Sequence, residues 1–416
     1  MCPEPVKGHR TDQPSAEVAA LARIVRREAG LIVAQLQRRL GNFDIAEEAV
    51  QEAIVIALRT WRRDGIPANP GGWLSLAARR RAIDLLRKRS REVPLADEWD
   101  ADPATAATSA QRSGDERLPM LFGCCHPALS VEARLALTLR AVVGMTTQQV
   151  ASAFLVPEAT IAQRLVRAKR KITTAGIPFT IPAAADLAPR LDDVLTVIYL
   201  SYNAGYLEPS ASGRELSDDA IWLAELLARA MPDQAEAWGL LALLTFLSSR
   251  TQSRFDDQGR LVLLEDQDRD RWDEVAISRA DGYLSTAAAL GQPGRFQLQA
   301  AIAGCHANAK SWDETDWLQI LTLYDLLLRF DSSPVIRLNH AIALNHLRGP
   351  EAALAEVDQV ADRLAGYHLL HATRAQLLTA LGDHTAARAA NERALALTRN
   401  PAEQHLLRSR LMNGGE

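Results

Sequence analysis

Residues 44–91 constrain the fold of this chain more than any other stretch. Apolar side chains recur from Ile45 to Trp61 at i, i+3 and i+4, the spacing of a helix that buries one face. A loop of Pro, Gly and Asn follows, and a second helix is predicted to start near Trp73 and to end among arginines. The pattern predicts two helices joined by a short loop. One is suited to binding a protein, and the other is suited to binding a phosphate backbone.

The second of these helices carries a charged face. At 100° per residue, Arg80, Asp84 and Arg87 lie on one side of it. Asp84 is spaced to pair with Arg80 and Lys88, which would fix the orientation of the guanidinium group. The surrounding arginines suit phosphate groups. A solvated basic helix end, favoured by the helix dipole, is the alternative interpretation.

A helix-turn-helix is predicted over residues 146–172. Residues 146–149 read Thr-Thr-Gln-Gln, a capping box, and Pro157 suits the first position of the next helix. One face of that helix is apolar, and its other face carries Thr160, Gln163, Arg164, Arg167 and Lys171. Gln and Arg near the start can contact base edges in a major groove, and later basic residues can contact phosphates. The alternative is an ordinary helical hairpin with a charged outer face.

Two dense sequence blocks carry a family resemblance. The block AEEAVQEA, followed by WL and AIDLLR, resembles region 2 of bacterial extracytoplasmic-function (ECF) sigma factors. The segment ALTLRAVVGMTTQQVASAFLVPEATIAQRLVRAKRKI resembles their region 4, and together the two blocks cover about residues 15–175. The later segments LSYNAGYLEP, LEDQDRDRW and GRFQLQAAIAGCHA resemble the extension of one class of these factors. That class carries a tetratricopeptide-like (TPR-like) domain behind the sigma core.

The resemblance implies an alternative sigma factor that binds core RNA polymerase and starts transcription at promoters. Six residues of the first helix would dock on the clamp of the large polymerase subunit: Ala46, Glu47, Glu48, Val50, Gln51 and Ile54. The loop and second helix would melt and read the −10 promoter element through Arg62, Arg63, Asn69, Trp73, Arg80, Asp84, Arg87 and Lys88. The helix-turn-helix would read the −35 element through Thr160, Gln163, Arg164, Arg167 and Lys171.

Two positions depart from the family pattern. Arg80 stands where related factors often have Asn, a change that could alter promoter recognition. Ala204 stands in the SYNAGY segment where an acidic residue is usual, so no role of that acid is carried over to this chain.

The formal net charge of −4 conceals a division along the chain. Residues 1–91 carry a net charge of +7 and residues 118–175 a net charge of +5. Residues 92–117 carry −5, and residues 176–416 carry −11. Two basic modules joined by an acidic segment, with an acidic C-terminal part, are typical of a nucleic-acid binder with a separate regulatory domain.

Composition and periodicity give the expected domain boundaries. The all-α chain is divided into sigma region 2 at 15–91, an acidic flexible linker at 92–117, sigma region 4 at 118–175 and a helical extension at 186–416. Within the extension, residues 334–367 and 368–401 align at a period of 34 and predict TPR-like repeats at 334–401. A turn is predicted at Asp256, Asp257, Gln258 and Gly259.

No site for catalysis, a metal or a cofactor is predicted. Cys124, Cys125 and His126 lack the second ligand pair that a zinc site needs. The Asp266, Asp268 and Asp270 series lacks the glycine and glutamate of a calcium loop. Motifs of hydrolases, P-loop proteins and zinc proteases are absent from the sequence. No run of about 18 apolar residues occurs, so we expect a cytoplasmic protein without a membrane partner.

Two alternatives belong to other classes of protein. A TPR-fused helix-turn-helix activator that does not join polymerase leaves residues 44–91 unexplained. A helical-repeat adaptor leaves the division of charge unexplained. The expected partners are core RNA polymerase, promoter DNA and a protein ligand of the TPR-like domain. The resemblance also implies that this domain controls the sigma core within the same chain.

Overall fold

A computed structural model describes residues 16–89, 117–154, 156–206 and 211–413. Within these ranges the regular structure is helical, and the predicted all-α fold class is confirmed. The chain divides into two compact units, residues 1–197 and residues 198–416. The predicted acidic linker, residues 92–117, lies outside the described residues except for Arg117, which begins a helix.

The first unit opens with three helices that pack on one another. Their bounds are α1 (Ala16–Leu40), α2 (Phe43–Asp64) and α3 (Pro70–Arg89). The predicted apolar face of α2 is buried in this bundle, and Ala46, Ala49, Ala53 and Ala57 are fully inaccessible. These small side chains allow the neighbouring helices to approach closely, so the bundle core depends on them.

Asparagine side chains cap two of these helices. The Asn42 side-chain oxygen accepts a hydrogen bond from the Ile45 amide at 3.1 Å, and α2 starts after it. The Asn69 oxygen accepts one from the Gly72 amide at 2.9 Å. Because Asn69 supplies this cap and Pro70 suits the first turn, α3 starts three residues earlier than the predicted position near Trp73.

The helix-turn-helix lies in the same unit. Its elements are α4 (Arg117–Cys124), α5 (Val131–Leu137), a π-helical turn (Thr138–Val143), α6 (Thr147–Ala153) and α7 (Glu158–Ala175). The predicted capping box is confirmed by both of its bonds. The Thr146 amide donates to Gln149 Oε1 at 2.8 Å, and the Gln149 amide donates to Thr146 Oγ1 at 3.1 Å. Pro157 lies one residue before α7 rather than at its first position.

The division between the two units falls within α8 (Ala184–Tyr206). The second unit continues with α9 (Ala211–Ala230), α10 (Ala235–Ser249), α11 (Glu274–Ala289), α12 (Arg295–Asn308) and α13 (Trp317–Phe330). Helix α10 is apolar on nearly every side and contacts α9, α11 and α12, so it forms the centre of this unit.

The 34-residue period corresponds to two helix pairs. The last five helices are α14 (Pro334–Arg348), α15 (Pro350–Gln359), α16 (His368–Ala380), α17 (His384–Leu397) and α18 (Pro401–Asn413). The equivalent residues Ala341 and Ala375 are both buried. Leu347 is 43% exposed, so this member of the aligned apolar positions does not contribute to the core.

The non-helical segment before α11 contains the predicted turn. The Asp256 carboxylate accepts hydrogen bonds from the Gln258 and Arg260 amides, each at 2.9 Å. Gly259 adopts a φ of +73°, which other residues rarely adopt. An isolated antiparallel bridge joins Phe255 to Leu261, so the turn prediction is confirmed.

Candidate nucleic-acid interface

Helix α7 buries one apolar face and leaves Val166 exposed among its polar residues. Ile161, Leu165, Ala168 and Ile172 are buried and hold the helix in the helix-turn-helix. The predicted −35 residues lie on the remaining surface: Gln163, Arg167 and Lys171 are exposed, and Thr160 and Arg164 are half-buried. An exposed row of amide and basic side chains on a well-anchored helix can enter a major groove.

The charge of Arg164 acts on Glu132 near the start of α5. The pKa of the Glu132 carboxyl is lowered by hydrogen bonds from its own backbone amide and from Ser130, and the Arg164 charge lowers it further. The Glu132 carboxylate therefore favours a positive charge at this part of α7.

Helix α3 exposes four of the eight residues expected to act on the −10 element. Arg80, Asp84, Arg87 and Lys88 are all exposed. The expected pairing of Asp84 with Arg80 and Lys88 is wrong. Among the described residues, the ion pair of Asp84 is with Arg81 Nη1, at 3.9 Å.

The reason for this different pairing lies on the neighbouring helix. Arg81 makes a two-point contact with the Glu52 carboxylate of α2, in which its Nη2 atom lies 3.1 Å from Glu52 Oε1. This contact draws Arg81 toward α2. Asp84 lies three residues further along α3 and pairs with the Arg81 guanidinium. Arg80 and Arg87 keep exposed guanidinium groups that can reach phosphates.

The loop before α3 positions the other expected −10 residues. Arg63 pairs with its neighbour Asp64, with Nε 2.7 Å from Oδ1. Asn69 caps α3 and Trp73 is half-buried, with its ring 5.4 Å from the Trp61 ring in an edge-to-face arrangement. The side chain of Arg62 is not among those described.

The residues expected to bind polymerase differ in how exposed they are. Ala46, Val50 and Ile54 are buried in this conformation. Glu48 and Gln51 are half-buried. The structure therefore does not present all of the expected residues on one accessible face of α2.

Glu47, the remaining residue expected to bind polymerase, holds a buried ion cluster. Its carboxylate accepts from Arg140 Nε at 2.9 Å and from Lys169 Nζ at 2.6 Å. The Glu47 side chain is 7% exposed, and those of Arg140 and Lys169 are 16% and 21% exposed. This Glu47 cluster joins α2 to the helix-turn-helix. Removing one member of a buried ion pair costs about 3–5 kcal/mol, because the remaining charge stays buried without its partner.

Close packing accompanies the Glu47 cluster. Phe43 stacks on Phe179, with the ring centroids 5.2 Å apart. Gly30 of α1 lies against the π-helical turn, where an added Cβ would be 2.1 Å from the Val142 carbonyl oxygen. The two modules of the first unit are thus joined by an ion cluster, by stacked rings and by a backbone contact.

The sequence reasoning missed Arg140 and Lys169. A signal existed for Lys169, because it follows the buried Leu165 by four residues and precedes the buried Ile172 by three. That spacing places it at the border of the buried face rather than among the DNA-facing residues. No comparable local signal marks Arg140, which lies on the π-helical turn.

The cysteines before the helix-turn-helix pack in the interior. Cys124 and Cys125 are fully buried, and burial raises the pKa of both thiols, that of Cys125 to about 12. His126 Nδ1 accepts a hydrogen bond from the Ala128 amide at 3.1 Å. Over the ranges that the structure describes, no three His, Cys, Asp or Glu side chains are arranged to hold a metal ion.

A three-helix bundle with a basic face, followed by an anchored helix-turn-helix, defines a modular DNA-binding protein. The comparisons with known proteins agree. Residues 24–92 match Sigma-70 region 2, residues 120–172 match Sigma-70, region 4, and residues 190–288 match a family of unknown function, DUF6596. An uncharacterized protein of Rhizobium meliloti (strain 1021) is 43% identical over 386 residues, covering 90% of this chain and 91% of the relative. No solved structure matches the chain significantly.

The chain belongs to the sigma-70 family. Its two sigma-70 regions are those of a sigma factor, which binds core RNA polymerase and promoter DNA and initiates transcription. None of the helices in the described part is long and apolar enough to span a membrane.

Proposed function

We propose that the chain is an alternative sigma factor of the ECF type that recognises its promoters with α7 and α3. The exposed polar row on α7, opposite a fully buried apolar face, carries this proposal. Gln163 and Arg164 would contact base edges of the −35 element as duplex, and Arg167 and Lys171 would contact phosphates.

Helix α3 and the preceding loop would act on the −10 element. The exposed guanidinium groups of Arg80 and Arg87 and the Lys88 ammonium group would attract the phosphate backbone. The half-buried Trp73, supported by Trp61, offers a ring surface beside this charge. Stacking on such a ring would offset the few kcal/mol that unstacking one base costs.

Helix α2 would bind the clamp of the large polymerase subunit. Glu48 and Gln51 are partly accessible as they stand. Glu47 would become available only after Arg140 and Lys169 release it. Ala46, Val50 and Ile54 would support the docking face from within the bundle.

The Glu47 cluster would make polymerase binding depend on an opening step. When only a small fraction of the free chain is in the binding-competent state, its apparent affinity for the partner is reduced by that fraction. Arg140 and Lys169 belong to the module that would read the −35 element, so promoter DNA and polymerase would both favour the opened arrangement. The closed arrangement would then be the resting state of the free protein.

The C-terminal unit would be a TPR-like domain that controls the sigma core in the same chain. Two observations support this: the net charge of −11 over residues 176–416 and the helix pairs that repeat with a period of 34 residues. Surface charge is screened within about 8–10 Å at physiological salt, so apolar contacts would have to contribute. A groove among α16, α17 and α18 contains the buried Asn391, whose side-chain oxygen has no partner among the described residues. This groove would take a protein partner of the domain.

In vitro transcription tests the sigma function directly. Core polymerase alone, core with the full chain, and core with a charge-reversed Glu47→Lys, Glu48→Lys chain would be compared on a genomic promoter library. Promoter-specific initiation should require the full chain, and the reversed chain should lose core binding. Initiation that instead required an existing holoenzyme would identify an activator that does not join polymerase and would refute the proposal.

A further inference from the structure

The second unit contains a cleft that the sigma function does not use. Its volume is about 310 Å³, within the lower range of small-molecule sites. Segments that are distant in sequence converge on it. LEDQDRDRW contributes Trp272, QLQAAIAGCHA contributes Gln299 and His306, and Arg250 follows the last residue of α10. Helices α8, α13 and α14 complete the walls with Tyr199, Tyr324 and Asn339.

Two of the residues that line the cleft have a buried polar atom without a hydrogen-bond partner among the described residues. One is Nε1 of Trp272, whose side chain is 6% exposed, and the other is Nδ1 of His306. Buried polar atoms in native proteins nearly always have a partner, and a bound molecule that reaches these two atoms would supply it.

Among the described residues, one charged side chain lines the cleft, and its charge is positive. This side chain is Arg250, and none of the residues that line the cleft is Asp or Glu. Two further arginines lie close by but are already engaged. Arg269 Nη1 donates to the carbonyl oxygens of His306 and Ala309, and the Arg254 guanidinium lies 3.4 Å from the centre of the Tyr206 ring.

The Arg250 charge contributes to a lowered pKa at Arg254, Arg269 and His306. Burial lowers the pKa of Arg254 and that of Arg269, and the Arg250 charge contributes to each shift. Burial, then Arg250 and Arg269, lowers the pKa of His306 to about 4. His306 is therefore neutral near pH 7, and the charged side chain that lines the cleft is Arg250, whose guanidinium lies 6.0 Å from the centre of the Tyr206 ring.

Apolar and aromatic side chains form much of the remaining wall, and Gln299 and Asn339 add polar groups to it. Phe246, Ile302 and Ala303 lie beside the Tyr199 and Tyr324 rings. Such walls favour a flat, apolar body, whereas the cation at one place favours a negative end group. The combination selects for a small organic acid rather than for a free inorganic anion.

We propose that this cleft binds a small carboxylic acid with an aromatic or apolar body, its carboxylate held by Arg250 and the Trp272 indole N–H. Guanidinium and indole N–H are both donors suited to carboxylate oxygens. Neutral His306 supplies a further hydrogen bond through Nδ1. The proposal assigns a ligand to the C-terminal unit and does not depend on how α3 and α7 contact DNA.

Calorimetric titration of the full chain tests this site without polymerase or DNA. The probes are benzoate and phenylacetate, with benzamide as a neutral match for benzoate and inorganic phosphate as an anion without an apolar body. We expect one molecule of at least one acid to bind per chain, about tenfold or more tighter than benzamide and than phosphate.

Three variants locate the binding. Arg250→Gln should weaken acid binding about tenfold or more, because the carboxylate loses its cation. Ala303→Leu fills the cleft while Arg250 remains, and it should weaken binding similarly. Arg260→Gln is the matched control, since this exposed arginine pairs with Asp256 outside the cleft. Circular dichroism would confirm that each variant is folded.

The proposal is overturned if neither acid binds the wild-type chain. It is overturned equally if phosphate or benzamide binds as tightly as the acids, or if folded Arg250→Gln and Ala303→Leu chains both bind like the control.

Discussion

At the scale of single residues, Glu47 satisfies two cations with one carboxylate. Both partners belong to the helix-turn-helix, whereas Glu47 belongs to the three-helix bundle. A buried acid with two partners keeps a defined contact between modules, because removing the Glu47 carboxylate would leave both cations without it.

Removing Lys169 should raise the affinity for polymerase. In Lys169→Met, Glu47 keeps only Arg140, so the closed arrangement is weakened and a larger fraction of the chain is competent to bind. We expect core affinity to rise a few-fold, as measured by fluorescence anisotropy of a labelled chain. Lys171→Met is the control, because Lys171 lies exposed on the same helix outside the Glu47 cluster. Equal core affinity of the two folded variants would show that the cluster does not restrain the protein.

His306 should make the stability of the second unit depend on pH. Its pKa is about 4 in the folded chain and about 6.5 in an unfolded chain. As pH falls, the unfolded chain takes up the proton first. The contribution of neutral His306 is therefore complete above about pH 6.5 and is lost as pH falls toward about 4.

Urea unfolding of the full chain at about pH 7 and about pH 5 measures this dependence. His306→Phe keeps a ring against Trp312 and should reduce the loss of stability at the lower pH. His405→Phe, at an exposed position, should leave the loss unchanged. An identical pH dependence for His306→Phe and the wild-type chain would contradict the assignment.

At the scale of elements, we expect the start of α7 to determine sequence preference and its later part to contribute general affinity for DNA. Gln163→Ala should relax preference at one or two positions of the −35 element, worth about 1–3 kcal/mol of discrimination. Lys171→Ala should weaken binding evenly across sequences and reduce the salt dependence by about one phosphate contact. A promoter-library binding assay at two salt concentrations separates the two effects. Uniform weakening by both substitutions would exclude base contact by Gln163.

The elements were predictable where their information is local. The apolar spacing of α2 and α7 and the Thr146 capping box lie within a turn or two of helix, and the structure has all three. The start of α3 was misjudged because the Asn69 cap outweighs the first apolar residue as a start signal. Asp84 was paired wrongly because the partner of Arg81 lies on another helix.

Contacts between distant residues could not be predicted in this way. Arg140 and Lys169 lie 93 and 122 residues from Glu47 in sequence. Helical periodicity shows which side of α2 is apolar, but it does not show which module covers the acidic side chains beside that face. The cleft in the second unit could not be predicted from local patterns either, since its lining residues come from segments between Tyr199 and Asn339.

At the scale of the whole molecule, removing the C-terminal unit should change promoter output strongly in one direction. The cut has to spare residues that belong to the first unit. Arg190 donates to the Phe122 carbonyl at 2.7 Å, and Asp193 pairs with Arg134. A chain that ends at Tyr206 keeps these contacts, whereas one that ends at Ile172 loses them along with Phe179.

Transcription by the 1–206 chain and by the full chain would be compared in cells and with purified polymerase. Core binding should persist in the shorter chain, because α2 is intact. Equal output of the two chains under both conditions would refute control by the C-terminal unit.

At Gly30 the two modules lie so close together that the junction has no room for a methyl group. An alanine at this position would place its Cβ 2.1 Å from the Val142 carbonyl oxygen, far inside normal contact distance. The helix itself would tolerate alanine readily, since alanine is the better helix former. The methyl group of alanine would therefore push the two modules apart while each module keeps its own fold. This substitution would give a permanently open form of the protein for study.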